Sequence, residues 1–391
     1  MTRRDVVITG IGLVSSLGEG PEAHWAALNN SAKPVVDAAS FAPFPVHPLP
    51  ALSLDAQIPK KGDQRQMEPW QRLGTYAAGL AIDHAGARGL VSDMHLVVAA
   101  GGGERDVAVD EAVTAALTSA APEASGALLN EKLATELRPT LFLAQLSNLL
   151  AGNISIVHGV TGSSRTLMGE EEAAADAIRI AAARLAEGRG EIALVGGAFA
   201  SQRWDMVLLY APGGVLWQGD YAPISARGDA GGLMLGAMAA FLVLETAEHA
   251  QARGAKALAR IGGIASDAAH QRAGGGSATA AAALWQGMAG SSAGLGVISG
   301  MTGVAEARVE EEAFLATLGS VPLRRSGSVL GHGVEASFPA NVALAALALS
   351  QNGFYPKMDP ADAGDGAVER ILVTGFGQWR GEALALLEKA P

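Results

Sequence analysis

The stretch that most limits what this chain can become is RTLMGEEEAAADAIRIAAARLAEGRGEIALVGG, Arg165 to Gly197. A short apolar turn leads into a run of helical character that opens on Glu170, Glu171 and Glu172 and closes before Gly188. An apolar strand follows to Gly196-Gly197. The pattern predicts a helix over Ala173–Glu187 and a strand over Ile192–Val195. The glutamates stand in the helix's first turn, where unpaired N–H groups and the positive end of the dipole favour a carboxylate. Burial and repulsion between neighbouring carboxylates push the other way. Helix capping accounts for Glu170 and Glu172; for Glu171 a capping role and a special role both stand.

The rest of the chain repeats this alternation. Short apolar runs at Val6–Thr9, Leu96–Ala99, Ile154–Val157, Ala240–Leu244, Val297–Ser299 and Ile371–Val373 read as strands. Helical patterns cover Trp25–Leu28, Trp70–Ala85, Thr279–Gly290, Val309–Leu318 and Pro339–Leu349. Continuous apolar strands between helices indicate a sheet buried on both faces, so the expected class is layered α/β. A chain of 391 residues exceeds what one core usually organises. The polar stretch ETAEHAQARGAK, Glu245–Lys256, divides it into expected halves of 1–246 and 247–391. The Gly/Ala-rich Ala273–Ala282 reads as a surface loop or helix entry.

Composition removes several function classes. The chain has no cysteine, which excludes disulfides, thiolate metal ligands and a thiol nucleophile. A net charge of −11 opposes nucleic-acid binding, which needs a basic face. The 8 histidines are scattered without HExxH or paired spacing, so no metal is expected. GGGERD at Gly101–Asp106 lacks the GxGxxG pattern of a dinucleotide loop, and Ser163-Ser164 lacks GxSxG. The opening MTRRDVVITGIGLV is broken by Gly10 and Gly12 and has no signal-cleavage pattern, and no apolar run reaches spanning length. A cytoplasmic protein with no cofactor is expected.

Several segments, in order, resemble the β-ketoacyl-ACP synthases of the thiolase superfamily. They are VVITGIGLVSSLGEG, QRQMEPWQRLGTYAA, LSNLLAGNISIVHGVTG, EIALVGGA, FLVLETAEHAQARGAK, GSVLGHGVEASFPAN and VTGFGQWRGEALALLE. The resemblance spans the chain and implies a thiolase-like layered fold of two similar halves. It also implies a site in which an elbow cysteine takes the acyl group and two histidines assist decarboxylation of malonyl-ACP. Counting back from Gly196-Gly197 without gaps puts Glu171 at the cysteine position; a gapped register on Gly169 gives Thr166. The first histidine's place falls on Ser299, or on Gly300 with a one-residue slip. The second histidine is kept as His332, a nearby lysine becomes Gly327, and the oxyanion or gate phenylalanine is kept as Phe376 before Gln378 and Trp379.

A glutamate attacking a thioester would form a mixed anhydride, well uphill of the thioester that a cysteine forms. No base is evident beside Thr166. The resemblance therefore implies a chain-length-factor-like subunit, a group in which the elbow cysteine is replaced, typically by glutamine. Such a subunit pairs with a cysteine-bearing ketosynthase, or with itself, and works with an acyl carrier protein. The rival readings are a malonyl-ACP decarboxylase or altered condensing enzyme, and a non-catalytic acyl- or carrier-binding scaffold. Lys60, Lys61 and Arg65 form a basic cluster suited to steering an acidic carrier. An ordinary solvated face fits that cluster equally. The resemblance also sets Phe142 and Leu146, within Leu141–Leu150, at the acyl tunnel. It sets Asn153–Val157, as the strand before the elbow, at the dimer interface. His158 reads as structural or interfacial.

Overall fold

The ten-residue apolar run Val6–Ser15 is buried along its whole length in a computed structural model that describes residues 3–138, 141–270, 276–288 and 290–390. This strand, β1, has apolar residues on both faces because helices cover one side of it and a helical core layer the other. The remaining strands are β2 (Gly18–Glu19), β3 (His95–Ala99), β4 (Ser164–Leu167), β5 (Ile192–Phe199), β6 (Met238–Thr246), β7 (Ala259–His270), β8 (Leu295–Ser299), β9 (Leu323–Arg325), β10 (Arg370–Phe376) and β11 (Arg380–Glu388). Among the described residues they form one sheet, ordered β4-β3-β5-β6-β1-β7-β11-β10-β8-β9, with β2 paired to β1. Strands from before residue 247 occupy one side of the order and later strands the other, joined where β1 meets β7.

Two helices lie deep against this sheet. The elbow helix Glu170–Ala186 packs on β3, β5 and β7 and buries Ala174, Ala177, Ile178, Ala181 and Leu185. The helix Ser337–Ser350 is buried from Phe338 through Leu349 and packs against the elbow helix, β6 and β10. A helix apolar on all sides belongs in a core. Alanine on both helices lets them approach the sheet and each other closely. Their N-terminal ends meet at the functional site.

β1 packs tightly against a helix. A Cβ on Gly12 would lie 1.9 Å from the Ala77 carbonyl oxygen and 2.6 Å from the Ala81 nitrogen. Gly10 would meet the Ala81 carbonyl at 2.5 Å. These glycines set the helix Pro69–His84 directly on the strand. That helix starts at Glu68, whose backbone N–H is capped by Gln71 Oε1 at 3.0 Å.

The expected strands and helices are present with one correction. Ile154–Val157 is not a strand: it lies in the helix Leu149–His158, which ends at Gly159 with φ 76°. A four-residue apolar run carries no period that separates strand from helix, and LSNLLAG upstream supplies the helical neighbours. The strand that precedes the elbow is β4, at the edge of the sheet. β7, β11 and the helices Val107–Ser119 and Ser125–Glu136 are additional to the expected elements. Residues 273–275 of the Gly/Ala-rich segment lie outside the described residues, and a helix runs from Gly276 to Gly287.

Gly12→Ala should destabilise the fold by about 3 kcal/mol or more, because helix backbone cannot yield to the new methyl. Gly62 has nothing within 4 Å of its would-be Cβ. Gly62→Ala should therefore be neutral or stabilising by up to ~1 kcal/mol. Denaturant midpoints of the two variants provide the comparison.

Candidate active site

The elbow is a turn held in an uncommon backbone conformation. After β4, Gly169 has φ 144° and Glu170 has φ 58°. A non-glycine residue at positive φ costs about 1–3 kcal/mol and persists where the surroundings over-determine it. The turn separates the three glutamates. Glu170 is half-buried and lines an outer pocket, whereas Glu171 and Glu172 are turned inward, each 8% exposed.

Glu171 meets His332 there. Its Oε1 accepts a hydrogen bond from His332 Nε2 at 2.9 Å, with both side chains buried. Burial pushes the Glu171 carboxyl up. The hydrogen bond and electrostatic attraction of His332 outweigh this, helped by the backbone N–H groups of Glu171 and Gln378, and hold the carboxyl below its ordinary range. His332 is fixed in turn: its backbone N–H donates to Met234 O at 2.8 Å, and Nδ1 lies 3.5 Å from Ser337 Oγ. With the carboxylate as acceptor, Nε2 is the donor of this hydrogen bond. The pocket that remains around this pair is about 10 Å³, bordered by Gly300, Phe338, Asn341, Thr374 and Phe376.

The other expected site positions divide. Gly300 lines this pocket, whereas Ser299 Oγ turns away to donate to the buried Glu311 at 2.5 Å. Thr374 Oγ1 donates to the same Glu311 oxygen at 2.6 Å, so Glu311 anchors the floor beneath the site. Burial pushes the Glu311 carboxyl up against these hydrogen bonds. A Cβ on Gly300 would lie 2.4 Å from the Thr374 carbonyl oxygen, leaving no room for a side chain. Phe376 is buried at the pocket wall, its ring centroid 6.1 Å from that of Phe314. Gly327, which the resemblance sets at the family's lysine position, begins a short buried helix. Thr166 is in edge strand β4, paired with Val98, and is not among the residues bordering the Glu171–His332 pocket.

On the outer side of the elbow lies a larger pocket of about 510 Å³, walled by Trp70, Phe199, Met206, Leu209 and Tyr210, with Met168 at its rim. Sequence reading missed Glu335, which borders it. Glu335 is 5% exposed, and burial, reinforced by the Glu171 and Glu170 carboxylates, pushes its carboxyl up to about 7. Glu104, which does not border the pocket, is likewise raised by burial to about 7, opposed by Arg203. A charged residue between small apolar ones in GHGVEAS was the available signal for Glu335; its meaning depends on a chain crossing that sequence does not display.

The peripheral expectations are placed as follows. Lys60, Lys61 and Arg65 are exposed, and Lys61 Nζ is 2.5 Å from Asp55 Oδ1. Phe142 is 69% exposed and Leu146 half-buried. His158 is structural: its Nε2 bonds to the Thr75 carbonyl at 2.8 Å and its Nδ1 to Arg88 at 3.1 Å, and burial lowers it to about 4. Among the described residues no group of three His, Asp or Glu is placed to hold a metal, and no helix is long and apolar enough to cross a membrane.

Residues 3–250 match the family model for the Beta-ketoacyl synthase, N-terminal domain. The 3-oxoacyl-acyl-carrier-protein synthase 2 of Rhizobium meliloti is 28% identical over 296 residues, 68% of this chain and 65% of that protein. The chain thus matches somewhat under two thirds of that relative's length. The ishigamide ketosynthase/chain length factor structure superposes over 100% of both chains with a TM-score of 0.81 at 21% identity. A type II polyketide acyl-carrier protein in complex with its ketosynthase also superposes over 100% of both chains, with a TM-score of 0.77 at 19% identity. At these identities the structural likeness speaks for the fold, and the elbow, the His332 loop and the Phe376 turn stand within it. The chain belongs to the β-ketoacyl synthase family, with the thiolase-like α/β fold of the fatty acid and polyketide ketosynthases.

Proposed function

We propose that this chain is a catalytically impaired, chain-length-factor-like subunit that pairs with a cysteine-bearing ketosynthase and shapes the space in which the partner's acyl chain grows. One observation carries this reading: the chain's own carboxylate fills the site. Glu171 accepts a hydrogen bond from His332 Nε2 at 2.9 Å, and about 10 Å³ is left beside the pair. That is room for about one water and none for an acyl thioester.

The chemistry agrees. A condensing site needs a nucleophile that holds an acyl group and donors that stabilise a developing oxyanion. Glu171 is a poor acyl carrier, and it already occupies His332 and the Gln378 N–H. A malonate or enolate anion brought to those donors would sit beside an ionised carboxylate. At ~4 Å in partly screened surroundings that repulsion is about 4 kcal/mol. Gly300 adds no second imidazole. The same repulsion weighs against the malonyl-ACP decarboxylase reading, since decarboxylation needs a free anion site even without a covalent step.

The surface supports pairing. β4 is an edge strand, and a strand edge offers unpaired backbone donors and acceptors to a second chain. Exposed apolar residues Ile156, Met168, Leu208 and Leu209 belong to elements around the elbow, and Ser147 Oγ reaches Met168 Sδ at 3.1 Å. An exposed apolar area of this kind marks an interaction face. In this reading Ser164–Leu167, in place of Asn153–Val157, lies along the interface, and Phe142 projects toward the partner's tunnel. Lys60, Lys61 and Arg65 offer the acyl carrier protein a basic approach, and the halves 1–246 and 247–391 meet at Glu245–Lys256.

Incubation of this chain with long-chain acyl-ACP should leave its intact mass unchanged; a stoichiometric acyl adduct overturns the inert-subunit reading. Mixing with a cysteine-bearing homologue should give malonyl-dependent elongation that neither protein shows alone, and robust elongation by this chain alone argues for an active enzyme. Glu171→Cys should remain well below the activity of a competent ketosynthase, because Gly300 still stands where an imidazole is needed.

Phe142→Ala in the reconstituted pair should shift products toward longer chains, with total rate less affected. Each additional buried methylene is worth roughly 0.8 kcal/mol, enough to bias the distribution. An unchanged product profile from an intact complex removes this segment from length control.

A further inference from the structure

We propose that the 510 Å³ pocket on the outer side of the elbow receives an apolar chain ending in an ammonium group, and that the Glu335 carboxylate is its acceptor. The carboxyl is placed there by backbone features that are otherwise unfavourable. Val334, a β-branched residue, has φ 43° and so turns the chain sharply just before Glu335. Opposite it, Gly101 clears the space: a Cβ there would lie 2.3 Å from Glu335 Oε1. Gly197 clears the backbone behind, where a Cβ would lie 2.8 Å from the Glu335 carbonyl oxygen. Both Gly101 and Glu335 border the pocket. The side chain is therefore aimed into the cavity while being 5% exposed.

Among the described residues the Glu335 carboxyl meets one donor, its own backbone N–H. The neighbouring cations are committed elsewhere. Arg203 donates to Asp205 at 2.6 Å and to the Gly103 carbonyl at 3.0 Å, and Arg105 is paired with Asp110 at 2.7 Å. Glu170, which borders the pocket, and Glu171 behind its wall add negative charge. A buried carboxylate so placed either binds a proton or gains a cation. Trp70, Phe199, Met206, Leu209 and Tyr210 supply apolar walls. The combination of apolar walls and one uncompensated carboxylate selects an amphiphile with a cationic end. It disfavours a plain hydrocarbon, which leaves Glu335 unpaired, and a carboxylate, which is repelled. Identifying the ligand as an amino-terminated acyl group rests on the proposed function; the pocket's preference for ammonium does not.

Isothermal titration of the purified chain with n-octylamine, 1-octanol and octanoate at about pH 8 tests this, because an alkylamine is protonated there and Glu335 is largely ionised. The amine should bind roughly tenfold or more tighter than the alcohol, as expected for a charge-assisted hydrogen bond in a buried site, with octanoate weakest. Glu335→Gln should reduce the amine to the alcohol's affinity while leaving the alcohol unchanged. Equal binding of amine and alcohol by the unaltered chain, no amine binding, or an amine preference that survives in a folded Glu335→Gln variant overturns the proposal. None of these outcomes depends on acyl-adduct formation or elongation with a partner, so failure here is distinguishable from failure of the inert-subunit reading.

Discussion

Burying an ionised carboxylate costs several kcal/mol unless fixed donors replace its water. At Glu171 those donors are the His332 ring and backbone N–H groups of Glu171 and Gln378. They come from three distant parts of the chain, and the contact between Glu171 and His332 alone spans 161 residues. The carboxylate therefore ties together the first turn of the elbow helix, the loop that opens the Ser337–Ser350 helix, and the turn after β10. Removing either Glu171 or His332 would strand the other in the core, which makes the pair a structural fixture as well as a chemical one.

The same pair divides the elbow into two environments. On the inner side the His332 ring and the Gln378 N–H are already bonded to Glu171, and about 10 Å³ remains. On the outer side a pocket of about 510 Å³ stays open, with Glu170 and Glu335 on its walls. The negative charge at Glu171 links the two, because it raises the cost of ionising Glu335 across the shared wall.

Much of the fold was legible in the sequence because it rests on local patterns. The turn, helix and strand from Arg165 to Gly197 appear as the elbow helix Glu170–Ala186 and β5, and the apolar runs at Val6, Leu96, Ala240, Val297 and Ile371 all fall in strands. Ile154–Val157 misled because four apolar residues fit a buried strand and a buried helix equally well. Phe376 and His332 could be located from their short motifs, whereas Glu335 could not. Its environment depends on Gly101 and Gly197 lying opposite it, more than 130 residues away in the chain.

The sequence by itself determined that no thiol chemistry is available, that the class is layered α/β, and that three glutamates stand in the first turn of the elbow helix. Composition and periodicity suffice for these, since each depends on residue identity or on near neighbours. Only the tertiary structure decided which partner Glu171 meets. Capping a helix and closing a site require the same residue in the same turn; they differ in whether His332 stands 2.9 Å away. It likewise decided that Gly300 faces the pocket while Ser299 faces Glu311, because a one-residue step along an extended strand end reverses the direction of the side chain.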